Sequence, residues 1–370
     1  MTGAVYEIGC LRALDELLDR ELVDLDLYVG ISGGAFVASL LAAGVTPREM
    51  YEEAVLPSRG SLGAATDALF RWNAGELVQR LGRAPRVLAG ALRTSLAGEG
   101  RGWSDLAWSM LELLPAGLLT TSGLQEYLER VFRARLGADR FTRLRRELNV
   151  VAVDLDSGDA VAFGRRRHRE VPISKAVAAS TALPGLYRPV RIGGRDYVDG
   201  GVRKTAHINL AIQSGARLVI CINPIVPYLN DTAKGALDGH LSNRGVNWVL
   251  DQVMRIMLHG RMAYGMERYR REHPEVDILL LQPTRDDMRM FAYNIMRTSA
   301  RRQIAEHGYR TTLALFRAQA SRHRRLLAKH GIGLRDPRRA AEHPSPRARG
   351  SHLSRVLQSS LDQLESKLAR

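Results

Sequence analysis

Two cysteines in 370 residues, Cys10 and Cys221, leave no material for a disulfide framework. Both sit in apolar runs, which reads as reduced core thiols in a cytosolic compartment. Long hydrophobic stretches are missing as well. No window reaches the ~18 apolar residues of a membrane-spanning helix, and the N-terminus lacks the basic-then-apolar layout of a secretory leader. No clustered His/Cys ligand set is present, so neither a metal nor a cofactor is expected. Acidic residues are the scarcer sign, 39 against 54 Lys and Arg, for a net charge of +15. Such an excess attracts polyanions, either anionic lipid surfaces or nucleic acid. Much of it gathers late, between Ser321 and Arg349, and reads as a solvated helix face followed by a basic tail. No nucleic-acid motif accompanies the charge, so nucleic acid is not the expected partner.

What is there alternates between helix and strand patterns. Apolar residues at Ile8, Leu11, Leu14, Leu17 and Leu18 follow a helical period. Leu25 to Ile31 reads as a strand, and Ser32 onward as a helix closing at Gly44. Thr46, Pro47 and Glu49 form a capping box for the next helix, and Ser122 to Gln125 repeats that pattern. Strands are expected at Leu148 to Leu155, Ala160 to Phe163, Arg188 to Ile192, Leu218 to Ile222 and Val276 to Leu281. Helices fall between several of them, notably after His207 and across Trp248 to Met266. Residues 296–329 read as a long helical region with Gly308 a break. Alternation of this kind predicts a helix-covered, mainly parallel sheet.

Residues 56–121 differ in character and carry Trp72, Trp103 and Trp108, three of the four tryptophans. They form a lid or interfacial patch, or else helical packing over the core. Residues 331–352 are rich in Gly, Pro and Arg and read as a disordered linker. Leu353, Val356, Leu357, Leu361, Leu364 and Leu368 then stripe a short amphipathic helix over 353–370.

The pentapeptide Gly30-Ile31-Ser32-Gly33-Gly34 fits the G-x-S-x-G nucleophile elbow. A strand leads in and a helix leads out. The turn is sharp, so glycines relieve clashes that a Cβ would make. The serine oxygen then stands at a helix N-terminus, whose backbone N–H groups favour developing negative charge. Gly33, directly after the serine, supplies one such donor.

A serine nucleophile needs a base. His168, His207, His240, His259 and His273 lie in no recognisable motif, with His207 the best placed among them. The alternative is Asp199, in Asp199-Gly200-Gly201 after the strand-like Asp196-Tyr197-Val198. Its glycines let the backbone pass close to another loop.

In this order, the elbow, Ala179-Ser180-Thr181-Ala182-Leu183-Pro184-Gly185 and Asp199-Gly200-Gly201 resemble the patatin-like phospholipases. So does the opening from Gly3 to Leu14. The resemblance covers roughly residues 1 to 300. It implies a three-layer α/β/α fold and a Ser32–Asp199 dyad without histidine, hydrolysing acyl esters of lipids through an acyl-enzyme. The implied partners are a lipid or phospholipid substrate and an anionic membrane surface, with a cytoplasmic or peripheral location. The catalytic domain would span 1–330; the oligomeric state is left open.

One departure stands out. The family's oxyanion hole is a G-G-G-x-[R/K]-G loop after a first strand, and Met1-Thr2-Gly3 matches only its last three positions. The chain is therefore expected to lack that strand and part of the loop, with Thr2 where a basic residue is usual. An internal methionine assigned as the start is the preferred explanation. The alternative is an impaired, lipid-binding or scaffold homologue. Gly3, Gly30, Gly33 and Gly34 remain as the oxyanion and elbow positions, with Gly200 and Gly201 supporting Asp199.

Overall fold

The computed structural model describes residues 2–55, 71–82, 84–85, 89, 114–231, 239–285 and 298–336. Helix α1 (Thr2–Leu17) leads into strand β1 (Leu27–Ile31), followed by helices α2 (Gly33–Ala42) and α3 (Pro47–Val55). The Thr46 capping box forms as expected: the Thr46 N–H donates to Glu49 Oε2 at 3.0 Å, and the Glu49 N–H donates to Thr46 Oγ1 at 3.2 Å. Beyond them come β2 (Arg71–Trp72), α4 (Ala74–Leu81), β3 (Gly117–Thr120) and α5 (Ser122–Leu136). The second box does not form. Thr121 caps α5 without a side-chain bond, and Ser122 hydrogen-bonds Thr120 instead.

Strand β4 (Glu147–Asp154) is the axis of the main sheet. Every residue after Glu147 is buried, which is why it reads as an unbroken apolar run. β1 pairs with it in parallel, Ile31 opposite Val151. Beyond the end of β1, on the same side, β8 (Arg195–Asp199) runs antiparallel, with Asp199 opposite Ala152. β5 (Ala160–Phe163) and β7 (Val190–Ile192) complete five strands. A second sheet pairs β9 (Leu218–Ile222) with β10 (Asp277–Leu281) in parallel, and a third joins β2, β3 and β6 (Gly185–Tyr187).

The mixed α/β class matches the reading of the sequence; the expectation of a mainly parallel sheet does not hold. Among the described pairings, those of β4 with β5 and β8, of β7 with β8 and of β2 with β3 are antiparallel. Short connections account for two of these four, residues 155–159 between β4 and β5 and residues 193–194 between β7 and β8. Gly193 and Gly194 both have positive φ, which closes a two-residue hairpin between β7 and β8.

Helix α6 (Ile173–Ser180) packs against β4 and β8, and α7 (Ile208–Gln213) precedes β9. The longest helix described, α8 (Val246–Glu272), precedes β10; α9 (Thr298–Ala318) and α10 (Ala320–Ala328) follow it. No helix among the described residues is long and apolar enough to cross a membrane.

Gly308 does not break its helix. It lies inside α9 where that helix crosses α1, and an added Cβ would fall 2.3 Å from the Tyr6 carbonyl oxygen. Gly9 answers it from α1, with the Ala305 carbonyl oxygen 2.0 Å from its Cβ position. Two glycines therefore let these helices touch backbone to backbone, and the core cluster spreads from this crossing through α2, α3, α5 and β4.

Residues 331–336 were expected within the linker, but they fold back onto α1. Asp19 and Gly333 exchange backbone and side-chain bonds, and the Arg335 N–H donates to the Leu17 carbonyl at 2.8 Å. The rest of the expected linker and the terminal helix lie outside the described residues, as do Trp103 and Trp108.

Replacing Gly9 by alanine puts a methyl into the Ala305 backbone. We expect this to destabilise the fold by about 2 kcal/mol or more in urea unfolding, whereas the same change at exposed Gly75, inside α4 with an open Cβ position, should be neutral or stabilise by a few tenths.

Candidate active site

Ser32 is the one non-glycine residue with positive φ among the described residues, at φ 54° and ψ −129°. Holding a side chain there costs on the order of 1–3 kcal/mol, so the neighbours must enforce it. Gly30 and Gly34 make the turn: a Cβ on Gly30 would sit 2.5 Å from Ala35 Cα. The Ser32 N–H donates to Ser180 Oγ at 3.0 Å, and that hydroxyl donates onward to the Val151 carbonyl at 2.6 Å. Ser180 is fully buried at the end of α6.

Asp199 ends β8 and is also buried, 3% exposed. Its backbone N–H donates to the Ala182 carbonyl at 3.0 Å. Its carboxyl accepts the Gly201 N–H at 2.8 Å, and the Ser32 side chain is a further hydrogen-bond partner. Burial raises the Asp199 pKa, and the bonds from Ser32 and Gly201 oppose that shift. Gly200 has no room for a side chain, since a Cβ would lie 2.4 Å from the Val151 oxygen. β1 ends opposite Val151 and β8 ends opposite Ala152, so the two strands meet end to end along one side of β4 and bring Ser32 and Asp199 together.

The helix ends converge here as well. Ser32 occupies the N-cap position of α2, and the Cβ position of Gly33 is 3.3 Å from the Ala4 nitrogen in the first turn of α1. The unpaired N–H groups of both first turns thus face one region. Gly3 belongs to that α1 turn, packed on Pro224, so it sits in a helix and not in a loop. Glu7, one turn further along α1, is buried, with its Oε2 3.3 Å from the Cβ position of Gly34. Desolvation pushes its pKa up to about 8.

Among the described residues, no histidine is a hydrogen-bond partner of Ser32 or Asp199. His207 is buried and hydrogen-bonded to the Gly200 backbone, and desolvation drives its pKa down to about 4. It is a neutral prop of the Asp199-Gly200-Gly201 turn. His168 packs edge-on against Phe163, and His273 meets Glu275.

Sequence reasoning named Ser32, Asp199 and the glycines, but missed what Ser180 and Ala182 do. Both belong to the Ala179–Gly185 segment already singled out by resemblance. Its invisible content was that one residue holds the serine and another holds the aspartate.

Comparison with known families matches residues 1–212 to the patatin-like phospholipases. The chain belongs to the patatin-like phospholipase family. Among solved structures the chain is similar to VipD from Legionella pneumophila, at 16% identity and a TM-score of 0.39. That alignment covers 86% of this chain and 65% of VipD, so the chain spans somewhat under two thirds of that protein's length.

Glu7 provides a pH test of this neighbourhood. Its folded pKa of about 8 lies above the ordinary 4.5, so its contribution to stability is whole below pH 4.5 and is lost as pH rises through 8. We expect Glu7→Gln to abolish that loss. Between pH 5 and pH 9, wild type should lose on the order of a few kcal/mol more than the variant in denaturant titrations. Equal losses would mean that Glu7 is not buried as described.

Proposed function

We propose that this patatin-like protein cleaves acyl esters of phospholipids at anionic membrane surfaces, a phospholipase A-type reaction, with Ser32 as nucleophile and Asp199 as base. The observation that carries this reading is the strained Ser32, its side chain hydrogen-bonded to a buried carboxyl.

In the proposed reaction Ser32 Oγ attacks the ester carbonyl while its proton passes to Asp199. The carbonyl oxygen gains charge against the Gly33 N–H and the convergent first turns of α1 and α2. Collapse breaks the ester C–O bond, and Asp199 returns its proton to the departing alcohol, leaving the acyl group on Ser32. Water then attacks the acyl-enzyme, gives its proton to Asp199, and the acid leaves as Ser32 is reprotonated. A raised carboxyl pKa suits both halves, because a base must also release its proton as an acid. No cofactor is required for these steps.

The test is covalent labelling with a fluorophosphonate, followed by hydrolysis of fluorogenic phospholipids. We expect labelling that maps to Ser32 and disappears in Ser32→Ala. Asp199→Asn should lower kcat/KM by roughly 10³-fold or more with the fold intact. Ser180→Ala, which frees the Ser32 N–H, should lower kcat by about tenfold while leaving KM close to wild type. An unlabelled but folded chain would refute the hydrolase reading and leave lipid binding without catalysis.

A further inference from the structure

Among the described residues, helix α8 carries an apolar surface that the site does not explain. Its C-terminal half is anchored: Met262 and Met266 are buried against Ile208, with Tyr269, Val219 and Ile278 around them. Its N-terminal half is not. Between residues 246 and 261 no position is buried, yet Val246, Val249, Leu250, Val253, Met254, Ile256 and Met257 all stand exposed, Leu250 at 60% and Ile256 at 54%. A helix with apolar residues over so much of its circumference ordinarily lies in a core or against a partner. Gln252, bonded to both the N–H and the carbonyl of Tyr228, is a polar tether that does not cover this surface.

The position of this half-helix is informative. Thr205 Oγ1 donates to the Leu258 carbonyl at 2.7 Å, and the Arg261 guanidinium donates to the Val202 carbonyl. Those two bonds clasp the loop that follows Asp199-Gly200-Gly201, and Val202 itself is exposed. The apolar surface therefore begins beside the turn that carries the proposed base.

Its charges select an occupant. From Leu241 to Met266 the only acidic residue is Asp251, already paired with Arg255 at 2.7 Å. Arg244 lies 5.5 Å over the Trp248 ring, Arg261 flanks the patch, and exposed Arg203 and Lys204 border the clasped loop. A second copy of the same surface would set arginine against arginine. A lipid surface with anionic headgroups instead accepts the apolar side chains and attracts the rim, and tryptophan is favoured at that depth.

We propose that residues 246–257 of α8 form the membrane-docking surface, lying in the headgroup region of an anionic bilayer and setting the Asp199 loop at the lipid boundary. This rests on the hydrolase reading for its purpose, but not for its test.

The test uses the full-length Ser32→Ala protein, so that binding is read without turnover. It is floated with phosphatidylcholine vesicles containing or lacking phosphatidylserine. We expect flotation with the anionic vesicles and a fall of roughly tenfold or more in vesicle affinity for Leu250→Glu/Ile256→Glu. In an otherwise wild-type background the same pair should leave hydrolysis of a water-soluble short-chain ester unchanged, which also reports an intact fold. Undiminished flotation of the double variant would overturn the proposal. So would a dimer of the Ser32→Ala protein in light scattering that the double variant dissolves, which would assign the face to self-association. If wild type cleaves no soluble ester, the functional reading fails; near-ultraviolet circular dichroism of the variant then checks the fold, and vesicle binding still decides the docking surface.

Discussion

A single buried hydroxyl ties the candidate site to the sheet. Ser180 Oγ accepts the Ser32 N–H and donates to the Val151 carbonyl, so the elbow is fastened to the central strand beside it. Two residues on, the Ala182 carbonyl accepts the Asp199 N–H. One short segment thus grips both proposed partners, and β4 fixes the distance between the strands that deliver them. Without that grip, only the Ala35 N–H on the Ser32 carbonyl and the side-chain bond to Asp199 would oppose relaxation of Ser32 from its positive φ into ordinary β geometry. The glycines at 30 and 200 allow the close approach; the hydrogen bonds make it a single conformation.

The same enclosure sets the electrostatics. Asp199 and Glu7 are both buried carboxyls, and burial raises both pKa values. Their partners differ. Asp199 accepts two hydrogen bonds that favour its charged form, as a base requires. Glu7 gains no comparable donor among the causes of its shift and, with a pKa near 8, remains neutral at pH 7. Its neutrality has a consequence for the neighbouring helix end. An ionised Glu7 beside Gly34 would compete with an oxyanion for the positive end of α2, whereas a protonated one leaves that end free.

Local features were legible in the sequence because their causes are local. The elbow follows from glycine spacing between a strand and a helix pattern, and the Thr46–Glu49 box from three residues. Asp199 was reachable through its two glycines. What stayed hidden depends on contacts between distant segments. Gly308 looks like a helix breaker until Tyr6 is known to lie against it, and Ser122 resembles a cap until Thr121 takes that place. Strand direction was misjudged for a related reason: the runs at Arg188–Ile192 and Asp196–Val198 were both legible, but not the Gly193-Gly194 turn that pairs them antiparallel. Ser180 was quoted as a motif letter, but its role exists only once Ser32 and Val151 are in position.

Helix α8 raises a question of helix stability that joins the surface to the site. Most helical stability in proteins comes from packing one face, not from intrinsic propensity. The exposed half has little of either: no residue is buried from 246 to 261, and Val246, Val249, Val253 and Ile256 are β-branched, which lowers propensity. Its order depends on the anchored half and on the bonds to Tyr228, Thr205 and Val202. Burying the apolar residues at a lipid boundary would supply the missing stabilisation. It would also load the Thr205 and Arg261 bonds, which end on the loop next to Asp199. Any tilt of α8 must therefore either break those bonds or move the 202–205 segment with it, so the proposed base and the proposed docking surface are mechanically one unit.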